Sequence, residues 1–129
     1  MTRLLPPSLA LSLVFAAMPA MANPQLEAAK TCLADATSGK DRKVLAKWIF
    51  GAMAAHPEMA ALSKVTPADQ EQLSRDFGEL FTRLMTVDCA DEIRSLARDQ
   101  GTSTIGTAFE HLGAVAMQEL MGNPAVNAA

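Results

Sequence analysis

The chain has few of the residues from which active sites are usually built. Two cysteines and two histidines are spread over 129 residues. They form no C-x-x-C pair, no H-E-x-x-H helix and no Glu-x-x-His site, so no motif supports dithiol redox chemistry, a zinc hydrolase or a carboxylate-bridged metal pair. Positive charge is scarce too: Lys and Arg number 11 against 14 Asp and Glu, a formal net charge of −3. A general nucleic-acid binder needs a strongly basic footprint, so that class is set aside. No segment alternates apolar and polar residues, and the β-branched residues are scattered rather than grouped as strands group them. No strand-turn-helix elbow around a serine is readable, and no serine-histidine-acid set accompanies one.

One long apolar run is present, at the start. Arg3 precedes Leu4–Met18, then Pro19, then Ala20-Met21-Ala22 with small residues at the first and third places. That order is the order of a secretory signal peptide cleaved after Ala22, and the run is shorter than the roughly 20 residues that span a bilayer. Residue 23 is Asn, where a lipid-anchored protein would carry cysteine. The expected organisation is therefore a leader over 1–22 and one soluble exported domain, periplasmic or secreted, over 23–129, with no membrane anchor. Export would carry Cys32 and Cys89 into an oxidising compartment, where a lone pair joins as a structural disulfide.

Every periodic segment after the leader has the helical period, which predicts an all-α bundle of about five helices. The first spans about Pro24 to Ala36, with Leu26, Ala29 and Leu33 on one face. Ser38 followed by Asp41 reads as a capping box for the second, whose core stripe is Leu45, Trp48, Ile49, Ala52 and Met53. Gly51, Ala54 and Ala55 leave its reverse face small enough for another helix to approach. Pro57 ends it, and a short helical turn is expected around Glu58–Val65. Thr66-Pro67-Ala68-Asp69 starts the third helix, which buries Leu73, Phe77, Leu80, Phe81 and Leu84 and pairs Glu71 with Arg75 and Glu79 with Arg83 on its exposed side. Asp88 is the expected cap of the fourth, which stops at Gly101. The fifth, Ser103 to Met121, reads as the most enclosed, burying Ile105, Phe109, Leu112, Ala116 and Leu120, and leaves a weakly held tail.

Three local features look like chemistry and have simpler readings. Gly39-Lys40 lacks the earlier glycine and the following serine or threonine of a phosphate loop, with Ala34 and Asp41 in those places. Asp76-Phe77-Gly78 copies a kinase tripeptide inside a helix with no other kinase element. Met53, Met59, Met85, Met117 and Met121 lack the Met-x-Met clustering of a copper(I) site and read as adaptable core filler. His56 fits a helix C-terminus, where a charged ring suits the dipole, and His111 fits the polar edge of the fifth helix.

One feature resists such treatment. Lys40, Arg42 and Lys43 crowd the first turn of the second helix, with Lys47 one turn on, where the dipole disfavours cations by about 0.3–1 kcal/mol each. Acids of the same molecule, Asp35, Asp41 and Glu27, or simple solvation are the expected offset. The functional alternative is that Lys40, Arg42, Lys43 and Lys47 edge a surface for an acidic protein partner. With no catalytic set, metal site or cofactor motif, the expectation is a non-enzymatic exported protein that binds another protein, as an immunity protein, inhibitor or chaperone-like adaptor. Its plan resembles acid-activated periplasmic chaperones and toxin-immunity proteins in architecture alone. A helical carrier of an apolar molecule or lipid is the alternative, and an unrecognised hydrolase the more distant one. N-terminal sequencing of the exported protein is expected to begin at Asn23; a mature chain still starting at Met1 would overturn the leader reading.

Overall fold

The computed structural model describes residues 23–129, and the expected leader over 1–22 lies outside the described residues. Among the described residues the fold is all-α, with no strand. It comprises α1 (Pro24–Ala36), α2 (Gly39–Ala54), α3 (Pro57–Ala60), α4 (Pro67–Arg83), a π-helical turn (Leu84–Asp88), α5 (Ala90–Gln100), α6 (Ser103–Met121) and α7 (Pro124–Asn127). The five longer helices are those the periodicity predicts.

Local chemistry sets most of the boundaries. Asn23 caps α1 by accepting from the Leu26 N–H, and Pro24 occupies the first helical position. Ser38 with Asp41, and Thr66 with Asp69, form complete capping boxes at the starts of α2 and α4. Gly101 ends α5 at a φ of +84°, a left-handed value that glycine adopts without a Cβ penalty.

Helix α6 is central: it packs against α1, α2 and α5, while α4 lies across α2. The largest fully buried side chains are Leu33 of α1, Leu84 of the π-helical turn, Cys89 at its junction with α5, Leu96 of α5 and Leu112 of α6. Each buried leucine contributes about 1.5–3 kcal/mol of transfer free energy. An aromatic series crosses the bundle. Trp48 of α2 stacks on Phe77 of α4 at 4.2 Å, and Phe81 of α4 meets Phe109 of α6 at 4.8 Å. Such pairs add about 0.5–1.5 kcal/mol beyond area burial.

The structure corrects several expectations. The α2 stripe turns along its length: Leu45 is buried, but Met53 is 51% exposed and Ala52 is also exposed, while Gly51 and Ala54 are buried. The cause is close approach of α4 to the small face. The Gln70 amide donates to the Gly51 carbonyl at 2.5 Å, and a Cβ on Gly51 would lie 2.7 Å from Leu73 Cδ1. Asp88 does not cap α5. The π-helical turn, closed by Cys89 N–H to Leu84 C=O at 2.9 Å, moves the cap position to Cys89 and leaves the Asp88 carboxylate to Arg83.

Arg83 accordingly does not pair with Glu79, although Glu71 and Arg75 do pair, at 3.3 Å. Helix α6 is less enclosed than expected, with Ala108, Leu112 and Ala116 buried but Leu120 43% exposed. Met53, Met59 and Met121 are exposed rather than filling the core. His56 follows the end of α2 and serves as the N-cap of α3, its Nδ1 accepting from the Glu58 N–H at 3.2 Å.

Cys32 and Cys89 stand at disulfide distance, with Cα atoms 5.9 Å apart and 57 residues of separation. The bridge links α1 to the junction of the π-helical turn and α5, beside the core leucines. In the chain-entropy account, closing a loop of this length stabilises the fold by about 4 kcal/mol. Urea unfolding of the Cys32→Ala/Cys89→Ala protein is expected to show a loss of about that size, and an unchanged midpoint would remove the bridge from the stability argument.

Candidate functional site

The four candidate cations lie within residues 40–47 of α2 but have different fates. Arg42 is paired. Its Nε donates to the Glu119 carboxylate of α6, and its Nη1 donates to the Thr37 carbonyl, one residue past α1, at 2.6 Å. A cation misplaced for α2 is thus well placed for the end of α1. Glu119 also brings negative charge to the start of α2, its Oε1 lying 3.4 Å from where a Gly39 Cβ would stand. The internal partner of Arg42 is therefore Glu119, not Asp35, Asp41 or Glu27.

Asp41 is engaged elsewhere. It closes the α2 capping box and accepts from Arg83 Nη2 at 3.0 Å, while Arg83 Nε donates to Asp88 at 2.8 Å. Partial burial pushes the Asp41 carboxyl up, but hydrogen bonds from Arg83 and from the N–H and hydroxyl of Ser38 outweigh it and hold the group below its ordinary 3.8. Its two carboxylate bonds raise Arg83 further above its ordinary value, so that side chain stays charged. Lys40, Lys43 and Lys47 make no ion pair among the described residues.

Lys43 and Lys47 border a groove of about 460 Å³ between α2 and the end of α6. From α2 come Lys43, Ala46, Lys47 and Phe50, one helix face, with Arg42 at the end. From α6 come Ala116, Glu119 and Leu120, and Asn123 follows them. The floor is small and buried, Ala46 at 6% and Ala116 at 2% exposure. The walls are large and apolar: Phe50 is 51% exposed and Leu120 43%. The Arg42–Glu119 pair borders the groove, and Asn123 Oδ1 caps α7 by accepting from the Ala125 N–H at 2.9 Å. Lys40 continues the line of Lys43 and Lys47 beyond the groove, at i, i+3 and i+7.

The sequence reading placed three of its four candidates on this groove and missed the apolar half. Phe50 carried a signal: it falls off the Leu45 stripe and lies on the face of Lys43 and Lys47, so an aromatic shares a side with cations. Leu120 gave none, since the α6 period reads it as core.

Among the described residues no three or more His, Cys, Asp or Glu side chains gather where a metal could be held, and no helix is long and apolar enough to cross a membrane. The two histidines stand apart, His56 on the α3 cap and His111 exposed on α6. No protein-family profile, curated protein or solved structure matches the chain.

The Asp41 geometry makes a pH prediction. Its folded pKa lies below the unfolded value, so its contribution is complete above that unfolded value and is lost as pH falls through the folded one. Asp69, held low by the backbone N–H and then the hydroxyl of Thr66, follows the same sign. Stability measured by urea unfolding is expected to fall as pH drops below about 4. Asp41→Asn is expected to cost about 0.5 kcal/mol at neutral pH, the scale of a partly exposed ion pair, and to flatten the acid limb. An acid limb identical to that of the wild type would sever it from Asp41.

Proposed function

We propose that this chain is an exported, non-enzymatic protein that acts by binding another protein through the face built by α2 and the end of α6. The observation that carries the reading is the pairing, on one face, of two large exposed apolar side chains, Phe50 and Leu120, with lysines that no acid of the described chain neutralises. Exposed apolar surface rimmed by charge is the usual composition of a protein-docking patch. Cations placed against a helix dipole cost stability, and an acidic partner would offset that cost when bound.

Export is supported by the leader-like order of residues 3–22 and by the cysteine pair at disulfide distance. An inhibitor, an immunity protein and a chaperone-like adaptor all fit this reading. The aromatic side chains that a carrier of apolar molecules would turn toward its cargo pack instead against one another, Trp48 stacked on Phe77 and Phe81 tilted against Phe109, which favours a protein partner.

A photo-crosslinking residue in place of Phe50, exposed to an extract of the cell envelope, is expected to capture a discrete protein. The same group in place of Arg75 on α4 is expected to capture none. Reversing Lys43 and Lys47 to Glu is expected to cut capture by about tenfold, two or three weak charge contacts together. Equal capture from both positions, or capture indifferent to the reversals, would remove the reading.

A further inference from the structure

We propose that the groove seats one amphipathic helix of the partner, with acidic residues running along one flank of its apolar stripe. This rests on the protein-binding reading above and names the element that the partner presents.

The shape is that of a helix seat. Helices α2 and α6 run antiparallel here, with Gly39 near Glu119 and Ile49 near Gly113. Two neighbouring helices leave between them a channel into which the ridge of a third packs. The channel floor is alanine from both sides, so the backbone of an occupant can come close, and Phe50 and Leu120 stand as walls for its apolar stripe.

The charges select among occupants. Lys43 and Lys47 lie along one rim and Lys40 continues their line beyond it, in step with the helix repeat and spread over about 10 Å. A fatty acid or similar amphiphile offers one anionic head and would be served by cations gathered at one end. Spread at i, i+3 and i+7, they instead match carboxylates at the same spacing on a facing helix. Arg42 is already neutralised by Glu119, which leaves the lysines to set the preference. The chain's own apolar run, Leu4–Met18, contains no Asp or Glu and would leave the lysines unmatched. A second copy docked face to face through this groove would bring a second set of lysines and no carboxylate except Glu119, which Arg42 already holds.

The test is selection of short helical peptides from a displayed library against the purified protein. Recovered peptides are expected to carry apolar residues at helical spacing with Asp or Glu on one flank. They are expected to perturb the NMR resonances of Ala46 and Ala116, and to lose binding to the Phe50→Asp/Leu120→Asp protein. Binding to the Lys43→Glu/Lys47→Glu protein should fall by about tenfold and return when the acids of the peptide are exchanged for lysines. All four positions are exposed, and circular dichroism checks the fold of each variant; Lys43→Gln/Lys47→Gln serves if the reversals unfold.

Peptides enriched without acids and indifferent to the lysine changes would overturn the proposal. So would recovery of no groove-dependent peptide, or dodecanoate seating in the groove where no peptide does. Capture through Phe50 together with a failed selection would overturn the helix while leaving the protein-binding reading intact; failure of both would overturn both.

Discussion

The corner at Arg42 is the constraint on which the rest of this face depends. One guanidinium reaches the Thr37 carbonyl beyond α1 and the Glu119 carboxylate near the end of α6. It therefore fixes the turn between α1 and α2 and sets how far the last turns of α6 stand from α2. Arginine suits this task better than lysine because its planar fork holds two acceptors in fixed relative positions. The groove exists because that spacing is held at one end by an ion pair while, further along, only Ala46 and Ala116 line the floor. Larger residues at the floor would fill the channel, and an unpaired Arg42 would add a fourth free cation to its rim.

The dipole conflict at the start of α2 is resolved for part of the cluster only. Asp41 supplies the capping box, and Glu119 brings a carboxylate from another helix to the same turn. Both anions lie where the α2 dipole favours them. Asp41 is nevertheless committed to Arg83, which also holds Asp88 beside Cys89. Its charge is thus spent on joining α2 to the α4 end, and Lys40, Lys43 and Lys47 are left to solvent or to a partner. The same chain of contacts explains why a single arginine can bridge two acids far apart in sequence: the π-helical turn redirects the chain after Arg83 and brings Asp88 back toward it.

What the sequence revealed and what it hid follow from separation along the chain. The capping boxes at Ser38 and Thr66, the glycine stop at Gly101 and the five long helices are legible because their partners lie within a few residues. The pairings Arg42–Glu119 and Arg83–Asp41 join residues 77 and 42 positions apart, and no local pattern points to either. The helical period marks which residues share a face but not which neighbour will cover it. Leu120 satisfies the α6 stripe and is left uncovered because α2 is turned toward the aromatics of α4 and offers it only the small Ala46 face. Met53 loses its place for the opposite reason, since Gly51 admits Gln70 and Leu73 on the other side of α2. The lysines of the candidate site were visible as an anomaly of charge, whereas the apolar walls beside them are a property of packing.

The groove walls and rim stand apart from the stability framework, which the groove meets at its floor, Ala116. The cysteine bridge ties α1 to the π-helical turn, and the core cluster draws buried leucines from that turn and from α1, α2, α4, α5 and α6. Phe50, Leu120, Lys43 and Lys47 belong to none of that cluster. A core of this kind does not need the groove to be filled, so an exposed apolar channel can persist without being closed by collapse. Separation of this sort is what a binding surface requires: its residues are free to be chosen for a partner, because the fold is held elsewhere. It also explains how a chain this short can leave Phe50 and Leu120 at the surface. The entropy of a 57-residue loop is removed from the unfolded chain by one covalent link, so the fold depends less on burying every large apolar side chain.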